Sequence, residues 1–323
     1  MPKKPHHTFK FKITTILFTF LLFNYNQTSF HDKKYTQTRK KTKGCTMKKN
    51  GLLLSLLVLS PLSFSLAQTT DIIIVNDAAK LSYGENKNII TVSEKNSNLS
   101  HIKYDKFNVG SEGVIFNNQA GADTIINEVI SRSVSELNGE IRIKGKQAKY
   151  TLINPNGIVC AAACSFRNMT SVNLVTGKMM LAGGRVIGRS PGEDTKLIIK
   201  NTTKKIANRL VLNGQHIEIN NGHVKTDYLQ ITNVFNHMNG SPLRNSITID
   251  KQSMIKAKEI KLNIMDTDIA NYGIIRGNVS GILLVSDIVN EGKISGDNIS
   301  FTLRDAVNVS GKGKIKFKNN PVF

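Results

Sequence analysis

The C-terminal third of the chain can be laid over itself at a step of 18 to 20 residues, a constraint that few folds satisfy. Tyr272-Gly273-Ile274-Ile275-Arg276-Gly277 aligns with Glu291-Gly292-Lys293-Ile294-Ser295-Gly296, and Gly311 falls 19 residues after Gly292. Ile282 and Leu284 align with Phe301 and Leu303, while Leu262 and Ile264 stand 20 residues before Ile282 and Leu284. A unit of about 20 residues holds three short strands and cannot bury its inward side chains alone, so neighbours must stack into a parallel β-solenoid. The Asn-rich turns suit this, because Asn tolerates left-handed backbone and its amide can stack on that of the next coil. A β-sandwich with coincidental spacing is the alternative.

The rest of the chain is consistent with an all-β fold. Ile72-Ile73-Ile74-Val75, Ile89-Ile90-Thr91-Val92, Gly113-Val114-Ile115-Phe116, Ile141-Arg142-Ile143, Tyr150-Thr151-Leu152-Ile153 and Lys196-Leu197-Ile198-Ile199 are short β-branched or alternating runs separated by Asn, Gly, Ser and Asp. Only Ile125–Val134 reads equally as a helical turn or as a strand.

The net charge of +21 over 323 residues would ordinarily point to nucleic acid or an anionic membrane. About half of it lies in residues 1–49, which hold twelve Lys or Arg and one acid, Asp32. Within that region Met47-Lys48-Lys49, the apolar run Leu52–Leu59, the Pro61 break and Ser65-Leu66-Ala67 form a secretory signal peptide over 47–67, with cleavage before Gln68. The run is too short to span a bilayer. A second apolar stretch, Ile13–Phe23, precedes it. Residues 1–46 therefore read as an over-extended start, translation beginning at Met47, with an unusual extended leader as the alternative. Downstream, 68–190 forms one segment and 191–323 continues as coils; the Pro321-Val322-Phe323 terminus lacks a polar cap, which points to truncation.

After export two cysteines remain, Cys160 and Cys164, separated by three alanines. A disulfide fits an oxidising compartment; a free dithiol and a catalytic pair are the alternatives. The sequence Leu152-Ile153-Asn154-Pro155-Asn156-Gly157-Ile158 reads as a strand running into a type I turn. Pro155 presets φ at its second position, Asn154 can make an Asx bond, and Gly157 suits the fourth.

Several segments together carry a family resemblance: Leu99-Ser100-His101, Phe107-Asn108-Val109-Gly110, Phe116-Asn117-Asn118, Ile126–Gly145, Tyr150–Cys160 and Ser165–Lys178. From about Asp71 to Val186 the chain resembles the N-terminal secretion domain of two-partner secretion exoproteins, which include filamentous haemagglutinins, haemolysins and contact-dependent inhibition toxins. The resemblance implies a right-handed parallel β-helix whose first coils are capped by a small antiparallel sheet. It also implies passage through the Sec translocon and recognition in the periplasm by the POTRA domains of a dedicated outer-membrane β-barrel transporter. The family's Asn-Pro-Asn-Gly turn maps to Asn154, Pro155, Asn156 and Gly157, and its paired cysteines map to Cys160 and Cys164. Haemolysin relatives place two residues between those cysteines where this chain has three. A second family motif, Asn-Pro-Asn-Leu, does not occur; Phe116-Asn117-Asn118-Gln119 occupies its region, with Phe107 and Asn108 nearby.

The remaining constellations are weaker. His216, His223 and His237 lack metal-ligand spacing and read as loop residues. Asp266-Thr267-Asp268 invites comparison with β-helical polysaccharide lyases but has no third acid or base, and reads as a coil corner. Lys312, Lys314, Lys316 and Lys318 alternate along one strand face. Phosphate or heparin binding is one reading, and a charged edge strand that resists aggregation is the preferred one. The expected function is thus a secreted, non-catalytic targeting module of an adhesin, cytolysin or toxin. It needs no cofactor or metal, does not bind nucleic acid or insert stably in a membrane, and has a host-cell surface or glycan as a further partner. The alternative is a β-helical carbohydrate-active enzyme.

Overall fold

The computed structural model describes residues 69–93, 98–182, 185–190, 194–233 and 244–322, with side chains of 179–190 left aside. The leader, the signal peptide over 47–67 and His237 lie outside the described residues. Within them are 25 strands, numbered β1 to β25 in chain order, and no helix.

The strands wind into a solenoid of about nine turns. One column of the stack shows the principle. β15 (Lys196–Lys200) lies parallel on β10 (Ile158–Ala161), β17 (His216–Asn220) on β15, β20 (Asn245–Ile249) on β17, and the long β21 (Met254–Asn271) on β20. Parallel pairing follows because each strand meets its counterpart only after a full coil, with the chain again running in the same direction. Alternation sets which face is inside. In β17, His-Ile-Glu-Ile-Asn, Ile217 and Ile219 are wholly buried, and β19 (Tyr228–Asn233) buries Leu229 and Ile231 in the same way. Each such side chain contributes about 1.5–3 kcal/mol relative to exposure, provided the coils above and below are present.

Antiparallel pairing concentrates at the N-terminal end. β1 (Asp71–Ile74) runs antiparallel to β4 (Leu99–Asn108), and β2 (Ala79–Gly84) forms a hairpin with β3 (Lys87–Val92) through Glu85 and Asn86, both at positive φ. This is the backbone a tight two-residue hairpin loop requires. β3 then pairs in parallel with β5 (Val114–Asn118), β5 with β8 (Glu140–Gly145) and β8 with β11 (Ser165–Arg167). The capping sheet is therefore mixed: one antiparallel hairpin laid on a parallel stack. A separate hairpin, β13 (Lys178–Ala182) with β14 (Arg185–Ser190), forms a sheet of its own. The ambiguous stretch Ile125–Val134 is strand where it is regular, in β6 (Thr124–Val129).

The repeat step is real but uneven, and this corrects two sequence alignments. Ile255, Ile275, Ile294 and Ile315 stack in register across β21, β22 (Ile274–Asn290), β23 (Lys293–Gly296) and β25 (Lys314–Phe317), at steps of 20, 19 and 21 residues. Leu262 meets Gly281 rather than Ile282, and Ile282 meets Thr302 of β24 (Ile299–Ser310) rather than Phe301. A one-residue shift exchanges the two faces of a strand, so Ile282 is 46% exposed while Leu283 is buried. Gly313, not Gly311, stands above Gly292, because the last step has widened. Gly281 is required where it is: its φ is +152° and a Cβ there would meet the Leu262 carbonyl.

Beneath the cap runs a chain of aromatic contacts. Tyr104, Phe107, Phe116, Tyr150 and Phe166 follow one another at centroid separations of 4.9, 6.3, 5.5 and 5.6 Å. All but Phe166 are fully buried. Such pairs add about 0.5–1.5 kcal/mol each beyond their buried area.

Candidate recognition and folding site

The Asn154–Gly157 turn follows β9 (Ala148–Ile153) and leads into β10. It is a turn of the expected kind: the Gly157 amide donates to the Asn154 carbonyl at 3.3 Å and the Asn156 amide to Asn154 Oδ1 at 2.9 Å. Gly157 has φ of +119°, and a Cβ there would lie 3.0 Å from the Lys196 carbonyl of the next coil.

The turn is also sewn to its neighbours. Asn154 is fully buried, and its Nδ2 donates to the Ser133 carbonyl and to Ser135 Oγ, both at 2.9 Å, in the preceding coil. Its backbone amide donates to the Val175 carbonyl. Asn156 is half-buried; its Nδ2 donates to the Ser131 carbonyl at 2.6 Å and to Asn154 Oδ1 at 3.1 Å. Burial of an amide is tolerated only when its donors and acceptor are used, and Asn154 uses them all. A folded partner can touch Pro155 and Asn156 but not the Asn154 side chain.

Cys160 and Cys164 follow directly and are joined, with their Cα atoms 5.5 Å apart. The three intervening alanines turn the chain, Ala162 taking a φ of +50°. Both sulfurs are buried against the core.

The second motif region contains an analogue of the first. Asn118 at the end of β5 is 3% exposed. Its Nδ2 donates to the carbonyls of Ala122 and Lys146 at 2.9 Å, and its Oδ1 accepts from the Ala122 amide at 3.0 Å. It clasps its own turn and the adjacent coil, as Asn154 does. Asn108 Oδ1 accepts from the Glu136 amide at 2.9 Å, Asn117 is half-buried on the outer side of β5, and Phe107 and Phe116 belong to the aromatic core. The two motif regions are thus separate clasps in different coils.

The sequence did not flag the buried pair beneath them, Tyr104 Oη donating to Asn127 Oδ1 at 2.8 Å while Asn127 Nδ2 reaches the Thr151 carbonyl at 3.3 Å. Burial raises the Tyr104 hydroxyl well above the ordinary tyrosine range, with the neighbouring Tyr150 adding to it, so it stays a donor. Alternation alone marks Tyr104 as inward and would also have marked an Ile, so only the polar Asn127 at an inward-facing position was a signal.

Arg244 occupies the site of the Asp266–Asp268 pair. Its guanidinium lies 3.3 Å from Asp266, 3.0 Å from Asp268 and 2.6 Å from Asp287. A hydrogen bond from Asn308, and then Arg244 itself, hold the Asp287 carboxyl below the usual range. Asp266 sits at a corner with φ of +49°. His216 Nδ1 is 2.8 Å from Ser246 Oγ, and among the described residues no three His, Cys, Asp or Glu are grouped to hold a metal ion.

Stacked coils, a capped first layer and clasped turns define an exported β-solenoid module. The sequence matches the TPS secretion domain family over residues 68–317, and the chain belongs to that family. It is 36% identical over 127 residues to a hemolysin of Proteus mirabilis, covering 33% of this chain and 8% of the relative. It is 40% identical over 115 residues to a tRNA nuclease CdiA of Yersinia mollaretii, covering 29% and 4% respectively. The crystal structure of a filamentous hemagglutinin secretion domain superposes with a TM-score of 0.56 at 19% identity, over 79% of this chain and 99% of that one, which establishes a shared fold. The chain spans less than a tenth of the length of these two curated relatives. Exoproteins with this domain are secreted by Gram-negative bacteria, and the domain implies a cognate outer-membrane transporter.

Proposed function

We propose that residues 68–323 form a non-catalytic secretion module that the POTRA domains of a β-barrel transporter receive in the periplasm after Sec export of the signal peptide over 47–67. The observation that carries this reading is the family match across residues 68–317, joined to a fold in which every coil depends on the one before it. While still extended, the chain presents alternating strands to an open sheet edge, which gains main-chain hydrogen bonds and a pocket for every second side chain. Outside the barrel, each coil that stacks removes apolar surface from water at about 25 cal/mol per Å² and so opposes return.

In this reading Asn154, Pro155, Asn156, Gly157 and the Cys160–Cys164 bridge act by fixing the first coils, and Asn118 acts likewise in the second motif region. Arg244, seated on Asp266, Asp268 and Asp287, argues against a free acid–base pair there and hence against a lyase-like enzyme. The longer parent would be an adhesin, cytolysin or contact-dependent toxin meeting a host-cell surface. The test is to express Met47–Phe323 in a Gram-negative host with and without the candidate transporter. Release into the medium only with the transporter is expected; release without it, or retention despite it, refutes the reading.

A further inference from the structure

Register brings together cations that are far apart in sequence. Lys225 of β18 (His223–Lys225) pairs with Lys256, Lys256 with Arg276, Arg276 with Ser295, and Ser295 with Lys316. Two residues earlier on the same strands, and therefore on the same outward face, Lys293 pairs with Lys314. Parallel neighbours are about 4.8 Å apart, so the column from Lys225 to Lys316 crosses five coils in about 19 Å. The intervening inward residues Val224, Ile255, Ile275, Ile294 and Ile315 anchor each strand, which makes the array rigid.

These six charges are uncompensated. Lys225 is half-buried and donates to the Thr203 carbonyl at 2.7 Å; the other five are exposed. No carboxylate among the described residues pairs with any of the six. Acids on neighbouring segments are engaged elsewhere: Asp227 with Lys205 at 2.7 Å, and Asp297 with Lys318 at 2.7 Å. Stability therefore does not explain the column, since like charges stacked on adjacent strands oppose folding. An edge strand guarded against aggregation explains Lys314 and Lys316, but not Lys256 and Arg276, whose strands are covered on both sides.

We propose that this face binds a linear sulfated polysaccharide lying along the solenoid axis. A polyanion running along the stack meets a cation at nearly every coil, and its affinity comes from released counterions plus a receptor that needs no rearrangement. The remaining outward positions, His223, Met254, Ile274 and Ser295, include no aromatic ring on which bases could stack. That favours a polysaccharide over a single-stranded nucleic acid. The proposal does not depend on the transporter reading.

The test uses the purified secreted chain on immobilised heparin, with fully desulfated heparin and oligodeoxythymidine as competitors. Wild type should be retained and displaced by heparin far better than by either other polymer. K256Q/R276Q should lose at least tenfold in affinity, with the salt dependence falling by up to about one unit of slope per cation removed. K80Q/K149Q, which removes two exposed charges elsewhere, should change affinity less than threefold. Equal losses in the two double variants would mean diffuse charge attraction and overturn the proposal. So would equal competition by desulfated heparin, or better competition by oligodeoxythymidine. Both pairs are exposed side chains, and circular dichroism of each variant confirms folding before binding is read.

Discussion

Asn154→Ala is expected to weaken the fold far more than Asn156→Ala, although the two residues share a turn. The first removes four hydrogen bonds: Nδ2 to the Ser133 carbonyl and Ser135 Oγ, and Oδ1 from the Asn156 amide and Nδ2. At about 1 kcal/mol net each the loss is about 4 kcal/mol, a large part of the 5–15 kcal/mol typical of a domain. The second removes two bonds from a half-buried side chain that water can re-solvate, for about 1 kcal/mol. Urea unfolding of the purified chain, followed by circular dichroism, should show midpoint shifts in roughly that proportion at an unchanged slope. Equal shifts, or an Asn154→Ala shift below about 1 kcal/mol, would refute the clasp argument. Secretion then separates folding from contact. If Asn154→Ala is stable in vitro yet stays inside the cell, the side chain is read by a partner before it is buried.

The register correction is tested by neighbours on one strand: Leu283→Ala should cost about 2–5 kcal/mol and Ile282→Lys less than about 0.5 kcal/mol, and the opposite order in thermal unfolding would restore the sequence alignment. Loss of the Cys160–Cys164 bridge, which closes a loop of five residues, should cost about 2 kcal/mol. Cys160→Ser/Cys164→Ser and reduced wild type should then unfold at the same urea concentration, and a difference between them would show that the substitution itself disturbs packing. Arg244→Gln should destabilise at neutral pH and lose its effect in acid. Asp287 has a lowered folded pKa, so its contribution is present above its unfolded value of about 3.9 and disappears as pH falls through the folded value. A gap between variant and wild type that persists at pH 2 would contradict this.

The solenoid was legible in the sequence because coil geometry forces a repeat, and Ile275 and Ile294 occupy equivalent places in adjacent coils. Individual steps were less legible: steps of 19, 20 and 21 residues alternate without any gap in the apolar pattern, so Ile282 looks inward until its pairing with Thr302 is seen. The Asn154 turn was readable from local chemistry, whereas the matching role of Asn118 was not, since its partner Lys146 lies 28 residues away. The Asp266–Asp268 corner was read correctly as having no base, but nothing in one sequence announces that Arg244 will settle on three aspartates from two coils.

The intervals between bonded residues have a consequence in time. Asn154 and Ser133 are 21 residues apart, Asn271 and Asn290 are 19, Asn298 and Asn319 are 21. A chain that arrives end first can therefore finish each layer once about twenty further residues have emerged, with no reference to what is still to come. The first layer is the exception. Thr70 waits 40 residues for Gly110 and 42 for Glu112. Delivery of the polypeptide should accordingly begin with one long lag, after which closure keeps pace with arrival at a nearly fixed delay.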